Sequence, residues 1–227
     1  MNLNVERILI IGLGMIGASI ALASRSKGIK VTGYDIDSNS VKNAIQKQII
    51  DDEASSIEQI NSKKYTKAID LIILAIPPKQ TLDMLNSLQE VWNTDTTITE
   101  TSSVKNHIKI EGVSNIVLSH PIAGSDQSGL LAADENLFKN KKNVLCNPFN
   151  GDKDHYDKVE NFWSNALQMK TALMTVSEHD LIFAMTSHLP HLISYALIDS
   201  IRLSNNDVGD NAGGGIKEFL RLSGSNP

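Results

Sequence analysis

Short apolar, β-branched runs recur along the chain at residues 7–11, 30–34, 70–76, 96–99, 115–119 and 143–147, and helix-compatible stretches separate most of them. Alternation of that kind predicts an α/β domain built on a doubly wound, mainly parallel sheet. The run Leu71-Ile72-Ile73-Leu74-Ala75-Ile76 is apolar at every position and ends at Pro77-Pro78, as expected of a strand buried on both faces. Near residue 176 the period changes. Leu181, Ile182, Met185, Leu189, Leu192, Ile193, Ala196 and Leu197 recur at helical spacing, which predicts a long helix with a core-facing stripe. Ser177-Glu178-His179-Asp180 reads as its N-cap, with an acid at the third position. Pro190 falls inside the helix and should remove a backbone bond to Thr186, kinking it. A glycine-rich stretch at 209–215 follows, expected to be among the most mobile parts, and then a short helical piece ending at Arg221. The pattern divides the chain into residues 1–176 and an all-helical domain at 177–227, too short to cover its own stripe and therefore expected to be truncated at its C-terminus.

The first run passes without a loop into Gly12-Leu13-Gly14-Met15-Ile16-Gly17 and then into a helical pattern. In this G-x-G-x-x-G order Gly12 permits the tight turn, Gly14 lets backbone approach a pyrophosphate, and Gly17 lets helix pack closely on strand. The phosphates would sit on the helix N-terminus beside Met15 and Ile16, where unpaired N–H groups and the dipole favour anions. The second run ends in Asp35, placed to accept bonds from an adenosine ribose. Together these define a Rossmann-type dinucleotide-binding domain over residues 1–176. A carboxylate at Asp35 repels a 2′-phosphate, and Ile36-Asp37-Ser38-Asn39-Ser40 brings no Arg or Lys to hold one, so NAD is expected rather than NADP. Ligands of such sheets lie across the carboxyl ends of the strands, which gathers Ala75, Ile76, Pro77, Thr101, Ser102, Ser103 and His120 onto the same rim.

Composition narrows the field. The formal net charge is −5 and no run of lysine or arginine occurs, which argues against nucleic acid as a partner. The single cysteine, Cys146, cannot form an internal disulfide, lies in an apolar strand-like run and suits a reducing cytoplasm. The first residues hold no long apolar segment and no later apolar run reaches transmembrane length, so neither export nor membrane association is expected.

His120 follows an apolar run and would face the nicotinamide end of a dinucleotide. Histidine there is either a general base for a substrate hydroxyl or a side chain satisfied by a loop carbonyl. His188 and His191 stand one turn apart on one helical face, a spacing compatible with a metal or with an anionic substrate. Zinc needs a third protein ligand, and neither a second cysteine nor an H-E-x-x-H context is present, so no metal is expected. Arg221, after Phe219-Leu220, is either an exposed helix cap or a bidentate clamp on a carboxylate.

These residues also resemble the prephenate and arogenate dehydrogenases of tyrosine biosynthesis. The blocks that carry the resemblance are Gly12 to Gly17 with Gly33-Tyr34-Asp35, Leu74-Ala75-Ile76-Pro77, Thr101-Ser102-Ser103-Val104-Lys105, Ser119-His120-Pro121-Ile122-Ala123-Gly124, Glu178-His179-Asp180, Ser187-His188-Leu189-Pro190-His191, and Phe219-Leu220-Arg221 before Ser225-Asn226-Pro227. The resemblance implies an NAD-dependent oxidative decarboxylase acting on prephenate or arogenate. It implies that His120 accepts the proton of the ring hydroxyl, that Ser103 helps hold that hydroxyl, and that His188, His191 and Arg221 bind substrate carboxylates. Asp126 stands where the family commonly has Glu, which bears on recognition of the substrate side chain. Family members continue through further C-terminal helices that build a homodimer, and this chain is expected to dimerise through its C-terminal helices or, without those segments, to associate weakly. A β-hydroxyacid dehydrogenase, an imine reductase or a non-catalytic cofactor-binding module on the same fold are the alternatives.

Overall fold

The computed structural model describes residues 5–124, 127–146, 151–204 and 214–224, with the side chains at 214, 215, 217, 218 and 221 outside that description. Asp126, the side chain of Arg221, the glycine-rich stretch at 209–213 and the Ser225-Asn226-Pro227 end therefore lie outside the described residues. In chain order the elements are β1 (Arg7–Ile11), α1 (Met15–Arg25), β2 (Lys30–Tyr34), α2 (Ser38–Gln46), β3 (Asp52–Glu53), α3 (Ile57–Ile60), α4 (Lys63–Thr66), β4 (Leu71–Leu74), α5 (Pro78–Ser87), β5 (Thr97–Glu100), β6 (Ile116–Ile122), β7 (Lys142–Cys146), α6 (Lys153–Asn161), β8 (Lys170–Leu173), α7 (Val176–Phe183), α8 (Leu189–Leu203) and α9 (Gly214–Ser223).

The strands form one sheet in the order β3-β2-β1-β4-β5-β6-β7-β8, parallel throughout except where β7 runs against β6. The chain works outward from β1 through β2 to β3, then crosses to β4 and works outward the other way. The junction of β1 with β4 is thus the topological switch point, where sheets of this kind bind ligands. Ile8 to Ile11 pair in register with Leu71 to Leu74, and all are buried, which is why both strands read as unbroken apolar runs.

Two strands escape a reading of hydrophobic pattern: β3 has two exposed residues, and β8 is only partly buried. A third differs in extent. The sequence places His120 after a strand, whereas β6 continues through it to Ile122, because antiparallel pairing with β7 persists (His120 opposite Val144, Pro121 opposite Asn143) where parallel pairing with β5 has stopped at Glu100 and Leu118.

The chain forms two compact units, Met1–Gly124 with Ser128–His179, and Ser125–Gln127 with Asp180–Pro227. The cap of α7 is not the one expected from Ser177 and Asp180. Thr175 is the N-cap: its Oγ1 accepts the Glu178 N–H at 3.2 Å, and the Glu178 carboxylate accepts the Thr175 N–H at 2.9 Å and its hydroxyl at 2.8 Å. Those bonds, the Thr175 N–H foremost, hold the Glu178 carboxyl below its ordinary range. The discontinuity expected at Pro190 takes the form of a π-helical turn, Ala184–His188, which ends as Pro190 enters the first turn of α8.

From Val176 to Leu203 the helical run spans 28 residues, and its most apolar window has a mean hydropathy of 1.4. By length and composition alone it could cross a membrane, contrary to the expectation that no apolar run reaches that length; the consecutive polar residues Thr186, Ser187 and His188 break the apolar run in the sequence. The expected core-facing stripe is exposed among the described residues: Leu181, Met185, Leu189 and Leu192 are 64%, 65%, 51% and 63% exposed. α8 instead packs on α9, where the buried Ser194 hydroxyl donates to the Phe219 carbonyl.

Candidate active site

The glycine turn is fixed by close approach. Gly12 has φ +95°, and a Cβ there would lie 2.4 Å from the Ala75 carbonyl oxygen and 2.7 Å from the Ile76 side chain. A Cβ on Gly17 would lie 1.9 Å from the Gly12 carbonyl oxygen. Gly14 differs, since nothing lies within 4 Å of the place its Cβ would take. Gly14 is also the N-cap of α1, with no side chain capping the first N–H groups and no acid in the first turn, so Met15 and Ile16 begin a helix whose end is open to an anion. The residues present therefore fit the diphosphate of a dinucleotide.

Asp35 lies just beyond β2, and its carboxylate accepts the Leu13 N–H at 2.7 Å and the Asp37 N–H at 2.9 Å. It anchors the glycine turn from below, a second task that its distance from Leu13 in sequence conceals. Each carboxylate oxygen keeps acceptor capacity for a ribose hydroxyl. Ala75 follows β4 and donates to the Ile11 carbonyl at 2.8 Å, and Thr101 donates its N–H to the Leu74 carbonyl at 3.0 Å. These bonds tie Ala75, Ile76, Pro77, Thr101 and Ser102 to the rim at the carboxyl ends of β4 and β5.

His120 lies in β6 two residues beyond Leu118, and Ser103 lies three residues beyond Glu100, the register partner of Leu118. Both side chains are half-buried. His120 Nδ1 makes a 2.8 Å hydrogen bond with Nε2 of His179, a fully buried residue of α7. The ring centroids are 5.0 Å apart at 59°. The sequence places His179 in the Glu178-His179-Asp180 block but gives it no role beside His120, because the two are 59 residues apart and only the fold joins them. The pairing has a chemical consequence. For Nε2 of His120 to take a proton, Nδ1 must carry hydrogen and donate to His179, which must then be protonated on its own Nδ1. His179 in that form also supports the positive charge His120 acquires.

In the second unit His191 Nδ1 donates to the Ser187 carbonyl at 2.8 Å. His188 closes the π-helical turn and is half-buried. Among the described residues no group of three or more His, Cys, Asp or Glu side chains is arranged to hold a metal ion. Arg221 lies in α9.

A sheet in this order, with the glycine turn at its switch point and a helical unit after it, defines a Rossmann-type dinucleotide-binding protein with an appended helical domain. The profile of the prephenate dehydrogenase nucleotide-binding domain matches residues 20–169, and that of the prephenate dehydrogenase dimerization domain matches residues 175–227. The chain belongs to the prephenate dehydrogenase family. It is 31% identical to the prephenate dehydrogenase of Bacillus subtilis (strain 168) over 100% of its own length, and spans 63% of that relative. Among solved structures it resembles prephenate dehydrogenase from A. aeolicus in complex with hydroxyphenyl propionate and NAD+, with TM-score 0.87, 30% identity and coverage of 100% of this chain and 81% of that one. It also resembles Synechocystis arogenate dehydrogenase, with TM-score 0.78, 27% identity and coverage of 97% and 80%.

Proposed function

We propose that the protein catalyses the NAD-dependent oxidative decarboxylation of prephenate to 4-hydroxyphenylpyruvate, or of arogenate to tyrosine, as a cytoplasmic enzyme of tyrosine biosynthesis. The observation that carries this reading is the bond between His120 Nδ1 and His179 Nε2 at the carboxyl end of β6, which fixes the ring through Nδ1 and makes Nε2 the nitrogen assigned to the substrate proton. The relatives named prephenate and arogenate dehydrogenase support the substrate class.

NAD, when bound, supplies the hydride acceptor. Gly12, Gly14, Met15, Ile16, Gly17 and Asp35 hold its phosphates and ribose, with Ala75, Ile76, Pro77, Thr101 and Ser102 along the rim. His120 takes the ring hydroxyl proton on Nε2 as hydride leaves the same carbon, with Ser103 holding that hydroxyl. The bond between the ring and its carboxylate breaks, carbon dioxide departs, and the electron pair completes the aromatic ring. The proton on His120 returns to the ring oxygen, so none is gained or lost overall. His188, His191 and Arg221 bind the substrate carboxylates, and Asp126 contributes to recognition of the side chain.

Reduced nicotinamide absorbance with prephenate, arogenate and simple 2- and 3-hydroxyacids side by side tests the reading: turnover of either cyclohexadienol is the expected result, and turnover of hydroxyacids alone would overturn it. NAD is proposed over NADP because of Asp35. Replacing Asp35 by Ser together with Ile36→Arg is expected to shift kcat/KM toward NADP, since Ile36 is 96% exposed and an Arg there can reach a 2′-phosphate. Wild-type kcat/KM higher with NADP than with NAD would show the carboxylate is not the selector.

Arg221→Ala is expected to raise KM for the dicarboxylate, not for NAD, by roughly 10- to 150-fold, the equivalent of a lost charge-assisted bond of about 1.5–3 kcal/mol. Lysine should rescue this only in part, as a point charge cannot reproduce the planar fork. Equal rises in both KM values would instead mark Arg221 as a helix cap. The exposed stripe of Leu181, Met185, Leu189 and Leu192 is proposed to dock a second copy of the chain, in keeping with the dimerization-domain match over 175–227. Sedimentation equilibrium should give a dimer, whereas a monomer that floats with liposomes would refute that assignment.

A further inference from the structure

We propose that the buried ion pair of Glu100 and Lys105 is a positioning device that sets the backbone immediately before each of the two reactive side chains, Ser103 and His120. The inference deepens the function proposed above and rests on it for the roles of those two residues. Glu100 closes β5, and the side chains of Glu100 and Lys105 are both fully buried. A lysine ammonium has three donors, and here each has an acceptor: a Glu100 carboxylate oxygen, the Ser102 carbonyl at 2.8 Å and the Ser119 carbonyl at 2.5 Å. The other Glu100 oxygen accepts the Ser102 N–H at 2.7 Å and is bonded by the Ser102 hydroxyl.

Ser102 is therefore held on both sides of its α-carbon, its N–H by Glu100 and its carbonyl by Lys105. The next residue is Ser103. Ser119 is held as firmly, its carbonyl by Lys105 and its hydroxyl by Thr99 Oγ1 at 2.7 Å and the Trp163 indole N–H at 3.0 Å. The next residue is His120. Parallel pairing between β5 and β6 stops at Glu100 and Leu118, so the ammonium takes up the Ser119 carbonyl beyond the last paired residues. One cation thus ties the loop carrying Ser103 to the strand carrying His120.

Stability alone is a weak account of such a pair. Desolvating two charges offsets much of their attraction, and a well-packed apolar pair of similar volume is often as stable or more so. What an apolar pair cannot do is bridge two carbonyls and a carboxylate with one set of directed bonds. A misplacement of about 1 Å at a reacting group can cost on the order of 100-fold in rate.

The test is the full chain carrying Glu100→Met with Lys105→Met, which removes both charges at once, and Lys105→Gln as the second variant. Both are expected to melt cooperatively and to lower kcat roughly 10- to 100-fold with little change in KM for the dicarboxylate, a larger effect than the rise in the NAD dissociation constant that follows from loosening Ser102 at the cofactor rim. A purely structural role would not move the second readout, the 15N spectrum of the histidine side chains, in which His120 is assigned with a His120→Asn control among the six histidines. The Nδ1–H signal of His120 bonded to His179 should shift or vanish in the variants. That spectrum holds even if the wild-type chain turns over neither cyclohexadienol, in which case the proposed substrate fails while the positioning inference is still decided. Folded variants with wild-type kcat and an unchanged His120 signal would overturn the inference, as would loss of folding in both variants, which would make the pair a structural requirement.

Discussion

His120→Asn is expected to lower kcat by roughly 10² to 10⁴ while NAD binds with near wild-type affinity. Asparagine approximates the reach of imidazole Nδ1 and can still hydrogen-bond His179, so the local packing in β6 should survive. It has no basic nitrogen at the Nε2 position, and the ring hydroxyl then loses its proton acceptor. The residues assigned to the cofactor belong to the glycine turn, Asp35 and the ends of β4 and β5, which the substitution leaves alone. His179→Phe provides the graded companion. It keeps a ring in the buried space but cannot accept the Nδ1–H of His120, so it should lower kcat less than His120→Asn and shift the pH dependence of kcat/KM. Isothermal titration with NAD and steady-state kinetics on one preparation separate the two terms. An unchanged kcat in His120→Asn would remove the base from the proposal, and a lost NAD affinity would recast His120 as a cofactor contact.

The sequence makes legible those features whose cause is local. β1 and β2 run from Arg7 to Ile11 and from Lys30 to Tyr34, as their β-branched runs and the glycine turn between them predict. The helical change of period marks the second unit for the same reason. Other features have causes that lie elsewhere in the chain. β6 extends through His120 and Pro121 because β7, more than twenty residues later, pairs with it. Asp35 anchors Leu13 as well as standing ready for a ribose, and His179 enters the site only through its bond to His120. Lys105 sits in a block that the family resemblance singles out, yet no periodicity reveals that its ammonium reaches Ser119. The α7 cap shifts from Ser177 to Thr175 because both could cap a helix, and the choice falls to the one with Glu at its third following position. The same residue types at helical spacing leave open whether a stripe faces a core, a second copy or a membrane, since all three reward one apolar face.

Gly17→Ala and Gly14→Ala should both abolish tight NAD binding, yet only the first should damage the fold. A Cβ on Gly17 would sit 1.9 Å from the Gly12 carbonyl oxygen and 3.1 Å from the Ile10 side chain, so α1 must move off β1 to admit it. Gly12 cannot yield in turn, because its φ of +95° and its approach to the Ala75 carbonyl are already fixed. Overpacking of this kind costs about 1–3 kcal/mol, and for a chain of this size the apo melting temperature should fall by roughly 2–12 °C. Moving α1 also carries its first N–H groups away from the diphosphate, and one lost charge-assisted bond corresponds to roughly 10- to 150-fold in dissociation constant. At Gly14 the backbone has φ −68° and ψ −170°, which alanine adopts without strain, and no atom lies within 4 Å of the new methyl group. The apo protein should therefore melt within about 1 °C of wild type, because an exposed substitution free of contacts has little effect on stability. The methyl group would stand in the space where the diphosphate approaches, so NAD affinity should fall at least as far as in Gly17→Ala. Apo melting curves and NAD titrations of the two variants decide the matter together. Wild-type NAD affinity in Gly14→Ala would mean that the open space beside Gly14 is not the diphosphate site, and an equal loss of melting temperature in both would mean that it is not open.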